Sequence, residues 1–282
     1  MVLSVYDSLT EEQCRRITAL YTLCTKEEGC YVLGLVLPEP GWAEEDSFYL
    51  LCEEKGQPAS FLSVFCPDLE TAEVSGFTAP AFRRRGYFSA LLAAAEREID
   101  ERFGTVRLLY QCLTGDQDTE GFCKKRGLRF SYGECMMEYN AAGRRTAPSL
   151  HDKGFSLRPA SSGDRELLIS LHRSVFPDTE AEAYMDTVLA DEATDSFLIL
   201  SEGTPAGLFH LTTSGAVSYF MGLGILPAFR GKGLAKAALR EVFSMLPPKG
   251  RLLLQVSTSN GPAFQLYTSM GFSVFSRLDY YE

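Results

Sequence analysis

The 282-residue sequence predicts an α/β chain made of two copies of one domain, each a sheet flanked by helices. Three observations carry this. The length suits two medium domains better than one. At 45% hydrophobic and 23% charged residues, the chain can build packed cores. Most decisively, the sequence repeats itself. Asp46-Ser47-Phe48 is matched by Asp195-Ser196-Phe197, and Gly56-Gln57-Pro58-Ala59 by Gly203-Thr204-Pro205-Ala206. Pro80-Ala81-Phe82-Arg83-Arg84-Arg85-Gly86 is matched by Pro227-Ala228-Phe229-Arg230-Gly231-Lys232-Gly233. The last two matches share one offset, 203 − 56 = 147 and 230 − 83 = 147, and Gly127 and Gly271 follow at 144.

In the second copy, residues 155–158 read as a strand and 164–175 and 180–190 as helices. Residues 197–201 and 207–212 alternate around the turn Glu202-Gly203-Thr204-Pro205, which predicts a hairpin. Residues 217–226 form a further strand leading into an Arg/Gly loop. Leu234, Ala238, Val242 and Met245 share one face, predicting a helix over 234–245 that Pro247-Pro248 stops. A strand over 251–257, a helix over 262–270 and a strand over 272–280 close the copy. The first copy runs similarly, with strands at 48–52, 59–65, 72–78, 106–113 and 128–139 and a helix over 87–102. It opens with a helix over 11–26 and a weak first strand. Residues 143–153, rich in Gly, Pro, Ser and Arg, form the linker between domains at 1–142 and 154–282.

Acids outnumber bases 37 to 27, for a net charge of −10. Split after Arg145, the first part holds 16 Lys+Arg against 23 Asp+Glu and the second 11 against 14, so both are acidic. That argues against a nucleic-acid backbone as the main partner. No apolar run approaches the ~20 residues of a membrane span, and residues 1–7 carry no secretory pattern, so a cytoplasmic chain is expected. All eight cysteines (14, 24, 30, 52, 66, 112, 123, 135) lie in the first half and all three histidines (151, 172, 210) in the second. No Cys-x-x-Cys or finger-like spacing occurs, so no metal is expected. The cysteines read as reduced, buried small hydrophobes.

Both copies place a strand, then Arg-x-x-Gly, then a long amphipathic helix. Exposed N–H groups at a helix N-terminus, with the positive end of its dipole behind them, suit a pyrophosphate. Glycine permits positive φ and close approach, while Arg230 and Lys232 add charge. Neither a P-loop nor a Gly-x-Gly-x-x-Gly fingerprint is present. In context, the pattern is specific: strand 222–226, Pro227, Arg230-Gly231-Lys232-Gly233-Leu234-Ala235, Asn260, then Leu266-Tyr267-x-x-x-Gly271-Phe272. It resembles the GNAT family of acetyl-CoA-dependent N-acetyltransferases. The resemblance implies two tandem domains, each a mixed, mostly antiparallel sheet flanked by helices, in an arrangement resembling mycothiol synthase-type proteins. It implies acetyl-CoA as co-substrate, its pyrophosphate held by Arg230, Gly231, Lys232, Gly233, Leu234 and Ala235. Leu223 and Ile225 would bond the pantetheine arm through their backbone, and Asn260 would contact the cofactor. Tyr267 would be catalytic, as the general acid that protonates the departing thiolate.

The first copy departs from this pattern. Phe88 stands where the second has Ala235, Cys123 where it has Tyr267, and Asp116 where it has Asn260. The expectation is a degenerate first copy and a working second one. The implied reaction is direct attack of a small-molecule primary amine on the thioester. The general base stays open among Glu202, His210 and the C-terminal carboxylate of Glu282, since the position near Tyr219 is not a carboxylate. The seven acids at 178, 180, 182, 186, 191, 192 and 195 hint at a cationic acceptor, or form a solvated helical face. Residues 39–46, another acidic loop, hold the only tryptophan, Trp42. A non-catalytic acyl-CoA sensor and a protein N-acetyltransferase are the alternatives.

Overall fold

The structure, a computed structural model, describes residues 1–28, 47–66, 70–115, 117–140, 154–176, 180–246 and 250–282. The linker, the Trp42 loop, Asp116, Asp178 and Pro247-Pro248 lie outside them. In order, the elements are β1 (Val2–Tyr6), α1 (Glu11–Glu28), β2 (Ser47–Glu54), β3 (Gln57–Phe65), β4 (Thr71–Thr78), α2 (Tyr87–Phe103), β5 (Arg107–Leu113), α3 (Gln117–Arg126) and β6 (Phe130–Asn140). The second copy follows as β7 (Phe155–Pro159), α4 (Arg165–Val175), α5 (Ala181–Ala190), β8 (Thr194–Ser201), β9 (Thr204–Ser214), β10 (Val217–Ile225), α6 (Leu234–Met245), β11 (Arg251–Ser257), α7 (Gly261–Met270) and β12 (Ser273–Tyr281).

Local chemistry sets these boundaries. α1 starts at a capping box in which Thr10 N–H donates to Gln13 Oε1 (2.7 Å) and Gln13 N–H donates to Thr10 Oγ1 (3.3 Å). Ser161 and Asp164 form a second box before α4. In the sequence only the basic run Lys124-Lys125-Arg126, which reads as a solvated helix end, marks α3. The helix buries only Cys123 and mixes acids, bases and Gly121, so no apolar stripe marks it.

The chain divides into two compact units, Met1–Cys135 with Ser257–Ser259 and Phe275–Glu282, and Met136–Val256 with Asn260–Val274. In the first, β1, β2, β3 and β4 pair antiparallel in sequence order, and β4 pairs β5 in parallel across the α2 crossover. In the second, β7, β8, β9 and β10 pair antiparallel, and β10 pairs β11 in parallel across α6. Even the irregularities repeat: the register shift at Cys52/Glu53 recurs at Ile199/Leu200, 52 + 147 = 199. In the first unit α1 covers one sheet face, through Ile17 and Leu20 against Tyr49, Leu51 and Phe61. α2 covers the other, through Leu91, Leu92, Ala95 and Ile99 against Leu50, Leu62 and Val74. In the second unit Leu168, Leu171 and Met185 of α4 and α5 pack on Leu198 and Leu208.

The final strand departs from the repeat. β12 belongs to the second copy in sequence, yet Leu278 to Tyr281 pair antiparallel with Leu113 to Tyr110 of β5, inside the first unit. There Tyr280 stacks on Tyr132 (centroids 4.3 Å) and its hydroxyl donates to Glu134 Oε2 (3.1 Å). Gly133 admits the neighbouring chain, because a Cβ there would lie 2.7 Å from Asp279 Oδ1. Conversely, β6 from Met136 onward belongs to the second unit, beside β11. Repeat and compactness thus divide residues 275–282 differently.

Candidate active site

In the second unit, β10 pairs with β11 only from Val217 to Tyr219, although both strands run on. Beyond Tyr219 the parallel strands part, and β10 presents an open backbone edge that includes Leu223 and Ile225. On its other edge β10 bulges. Met221 opposes His210 and Gly224 opposes Leu208, so Gly222 and Leu223 together face the single residue Phe209. Gly222 takes φ +63 within this bulge.

The strand leads into the Arg/Gly loop. A single 3-10 turn over Pro227–Phe229 precedes Arg230, whose Nε–H donates to Ile225 O at 2.9 Å, tying the loop to the strand end. Gly231 (φ +76) and Gly233 (φ +82) are left-handed, and a Cβ on either would meet nothing within 4 Å. Their positions favour glycine for backbone conformation, and the space beside them is open. The first helical bond of α6 runs from Ala237 N–H to Gly233 O, and no side chain caps the helix. The N–H groups of Leu234, Ala235 and Lys236 therefore have no partner within the helix and are available to an anion. Lys232 Nζ sits 4.9 Å from the Phe229 ring centroid. These residues fit a pyrophosphate.

Asn260 is the N-cap of α7, with Oδ1 accepting from Ala263 N–H at 3.2 Å; its amide NH₂ is left for a ligand. On the same helix Tyr267 is buried, edge-on to Phe272 at 5.7 Å. Burial pushes its phenol up to about 12.

Of the three candidate bases, the structure places one at the bulge. Glu202 occupies the β8–β9 turn at φ +51. That is six residues from Leu208, or about 20 Å along the strand at roughly 3.3 Å per residue. Glu282 belongs to the first unit, where its side-chain carboxylate, rather than the terminal one, faces Arg107 at 3.7 Å. His210 lies directly opposite Met221. It is fully buried, and its Nδ1 is 2.8 Å from Ser196 Oγ. Sequence reasoning missed the bulge; its signal was the pair Gly222 and Gly224 inside a strand.

The acidic stretch is partly neutralised within the protein. Asp186 pairs with Arg165 at 2.8 Å, Glu182 with Arg173 at 2.8 Å, and Asp191 accepts from Thr194 Oγ1 and Ala193 N–H. Glu180, Glu192 and Asp195 remain exposed.

The first copy builds the same loop on different side chains. Arg83 Nε–H donates to Thr78 O at 3.1 Å, the counterpart of the Arg230 bond. Gly86 (φ +86) begins α2, and Arg84 holds φ +59 where its counterpart is Gly231. Asp118, however, approaches both Arg83 (3.6 Å) and Arg84 (3.8 Å), placing a carboxylate on this loop. Cys123 is buried against Cys112, sulfur to sulfur 3.4 Å, so no hydroxyl replaces Tyr267. Between the parting strands β4 and β5 lies a cavity of about 670 Å³, lined by Phe77, Arg83, Phe88, Tyr110, Asp118 and Phe122 among others. Phe88 meets Phe122 edge-on at 5.5 Å and lines this space without closing it.

Among the described residues, no group of three or more His, Cys, Asp or Glu is arranged to hold a metal, and no helix is long and apolar enough to cross a membrane.

A family model described as the acetyltransferase (GNAT) family matches the chain twice, over residues 8–128 and 165–272. A GCN5-related N-acetyltransferase from Sphaerobacter thermophilus superposes with a TM-score of 0.81 at 18% identity, covering 99% of this chain and 94% of that one. A tandem GNAT protein from the clavulanic acid biosynthesis pathway gives 0.73 at 18% identity, covering 99% and 98%. A GNAT-family acetyltransferase from Colwellia psychrerythraea gives 0.63 at 11%, covering 100% and 99%. At such identities the structural likeness speaks for the fold alone. No curated protein matches the chain.

Proposed function

The chain belongs to the GNAT family of acetyltransferases, and on that premise we propose that its second copy transfers the acetyl group of acetyl-CoA to the primary amine of a small molecule, in the cytoplasm, by direct attack with both substrates bound. One observation carries this: a single unit combines an uncapped helix behind two left-handed glycines, a strand edge opened by divergence from its neighbour, and a buried phenol.

The co-substrate supplies a thioester whose carbonyl is open to an amine. The cradle of Gly231 and Gly233, the N–H groups of Leu234 and Ala235, and the charges of Arg230 and Lys232 hold its pyrophosphate. The open edge of β10 around Leu223 and Ile225 bonds the pantetheine amides and points N–H groups at the developing oxyanion. Tyr267 stays protonated throughout the physiological range and donates a hydrogen bond to the leaving sulfur. With its phenol near 12 and an ordinary thiol at about 8.5, outright proton transfer is uphill by about 5 kcal/mol, so solvent completes the protonation. The acceptor amine enters beside α4 and α5, and any preference for a cation rests on Glu180, Glu192 and Asp195.

The test is a panel of small primary amines and short peptides incubated with acetyl-CoA, with acetylated products read by mass. Transfer to small amines above buffer supports the proposal; transfer to peptides alone replaces the acceptor class; transfer to none refutes it. The first-copy cavity supports a second reading for that half, an acyl-CoA-binding site without Tyr267's counterpart. A second bound equivalent of acetyl-CoA would establish it.

A further inference from the structure

The first copy carries two thiols that the transfer reaction does not use. Cys112 on β5 and Cys123 on α3 are both buried, and their sulfurs stand 3.4 Å apart, in contact but not bonded. A disulfide needs about 2.05 Å, so a closure of roughly 1.3 Å, shared between two side chains, would join them. Both residues border a void of about 30 Å³, which gives the sulfurs room to turn. Cys112 also borders the cavity of about 670 Å³, so a small molecule held there reaches this thiol first. The cavity wall sets Arg83, Arg84 and Lys125 against one carboxylate, Asp118, and so suits an anionic guest. Cys123 is the one residue that α3 buries, and the same helix walls the cavity through Asp118, Thr119, Phe122 and Lys125. The hold of α3 on β5 runs through the sulfur contact and through Phe122, whose ring meets Tyr110 at 6.0 Å.

We propose that Cys112 and Cys123 form a reversible dithiol site that exchanges with an anionic low-molecular-weight disulfide entering the first-copy cavity. Cys112 gives its proton to solvent, and its sulfur attacks one sulfur of the small disulfide. That S–S bond breaks, and the first small thiolate leaves and takes a proton from solvent. Cys123 then gives up its proton and attacks the Cys112 sulfur, and the second small thiolate leaves and is protonated in turn. Two electrons pass from the protein thiols to the small disulfide, which ends as two thiols, and the balance closes. Burial raises the Cys123 thiol, which makes the second step the slower one. Excess small thiol runs the exchange backwards, so a reducing compartment keeps the pair open at rest. Once closed, the bond ties α3 to β5 and holds Asp118 beside Arg83 and Arg84. This chemistry belongs to the copy in which Cys123 replaces Tyr267, and it does not rest on the transfer reaction proposed above.

The test uses the folded wild-type chain and oxidised glutathione as the probe. After incubation at neutral pH, remaining thiols are alkylated in denaturant and the peptides mapped by mass. The expected result is a peptide pair joined through Cys112 and Cys123, preceded by a glutathione adduct on Cys112 and reversed by excess reduced glutathione. Both cysteines recovered as alkylated thiols overturn the proposal, as does a link that forms only in the unfolded chain. Cys123→Ser, which cannot close the bond, should retain glutathione on Cys112; an adduct-free Cys112 in that folded variant overturns the entry route through the cavity. Amide hydrogen exchange reads the tether: α3 should exchange about tenfold more slowly in the linked form, and equal rates would overturn the hold on α3.

Discussion

Gly222→Ala probes the bulge most sharply, because its effect can be worked from the structure. Gly222 holds φ +63, and an added Cβ would stand 2.6 Å from His210 Cδ2. The left-handed backbone alone costs an alanine about 1–2 kcal/mol. Carbon pairs prefer about 3.5–4.0 Å, so the buried imidazole must also shift by about 1 Å. It has no open side to move toward, and overpacking of this kind costs about 1–3 kcal/mol more. Gly231→Ala is the internal control. Its φ is +76, but nothing lies within 4 Å of its Cβ, so it bears only the backbone penalty. Thermal unfolding of the two variants should place Gly222→Ala roughly 2–12 °C below Gly231→Ala, at about 2–4 °C per kcal/mol for a chain of this size. Equal melting temperatures would mean that His210 does not pack on the bulge, and the account of the site would fail with it.

Tyr267→Phe should lower kcat about 10–100-fold through loss of one hydrogen bond to a charged sulfur, with acetyl-CoA affinity by calorimetry unchanged; an indifferent kcat would remove Tyr267 from the reaction. Arg84→Gly should raise the melting temperature by about 1–4 °C, since Arg84 occupies φ +59 where its counterpart Gly231 is relaxed, and its contact with Asp118 is exposed. Stability should also fall between pH 7 and pH 5. Burial, then the neighbouring His172, lower His210 to about 4 against an ordinary 6.5, so in this window the unfolded chain binds the extra proton. The loss amounts to about 2 kcal/mol at pH 5. Denaturant titrations of His210→Gln should show a smaller pH slope, the remainder coming from His172, which burial also lowers; an identical slope would contradict the burial assigned to His210.

What the sequence revealed and what it hid follow from the range of the signals involved. Periodicity and turn residues are local, so the helix over Leu234–Met245 and the strand over Arg251–Ser257 were legible to the residue. The backbone course of the Arg/Gly loop was legible because Arg230, Gly231 and Gly233 carry its geometry in a short motif. The pairing of β12 with β5 was not, since an alternating strand does not say which sheet will receive it. The approach of His210 and Tyr184 to Gly222 joins β9, α5 and β10, and only the sheet register brings it about. The acidic stretch left a cation site and a solvated face both open, because the partners of Asp186 and Glu182, Arg165 and Arg173, lie upstream of it in α4. The absence of an apolar stripe hid α3, whose Asp118 then proved to face the first copy's loop.

The proposed function rests on a working site in the second copy. Native mass spectrometry of the chain titrated with acetyl-CoA tests it most directly, comparing wild type with Gly233→Val and Gly86→Val after circular dichroism has confirmed that each is folded. Gly233→Val should abolish the tight binding event while Gly86→Val preserves it. Binding that survives Gly233→Val and disappears with Gly86→Val would contradict the account and move the site to the first copy.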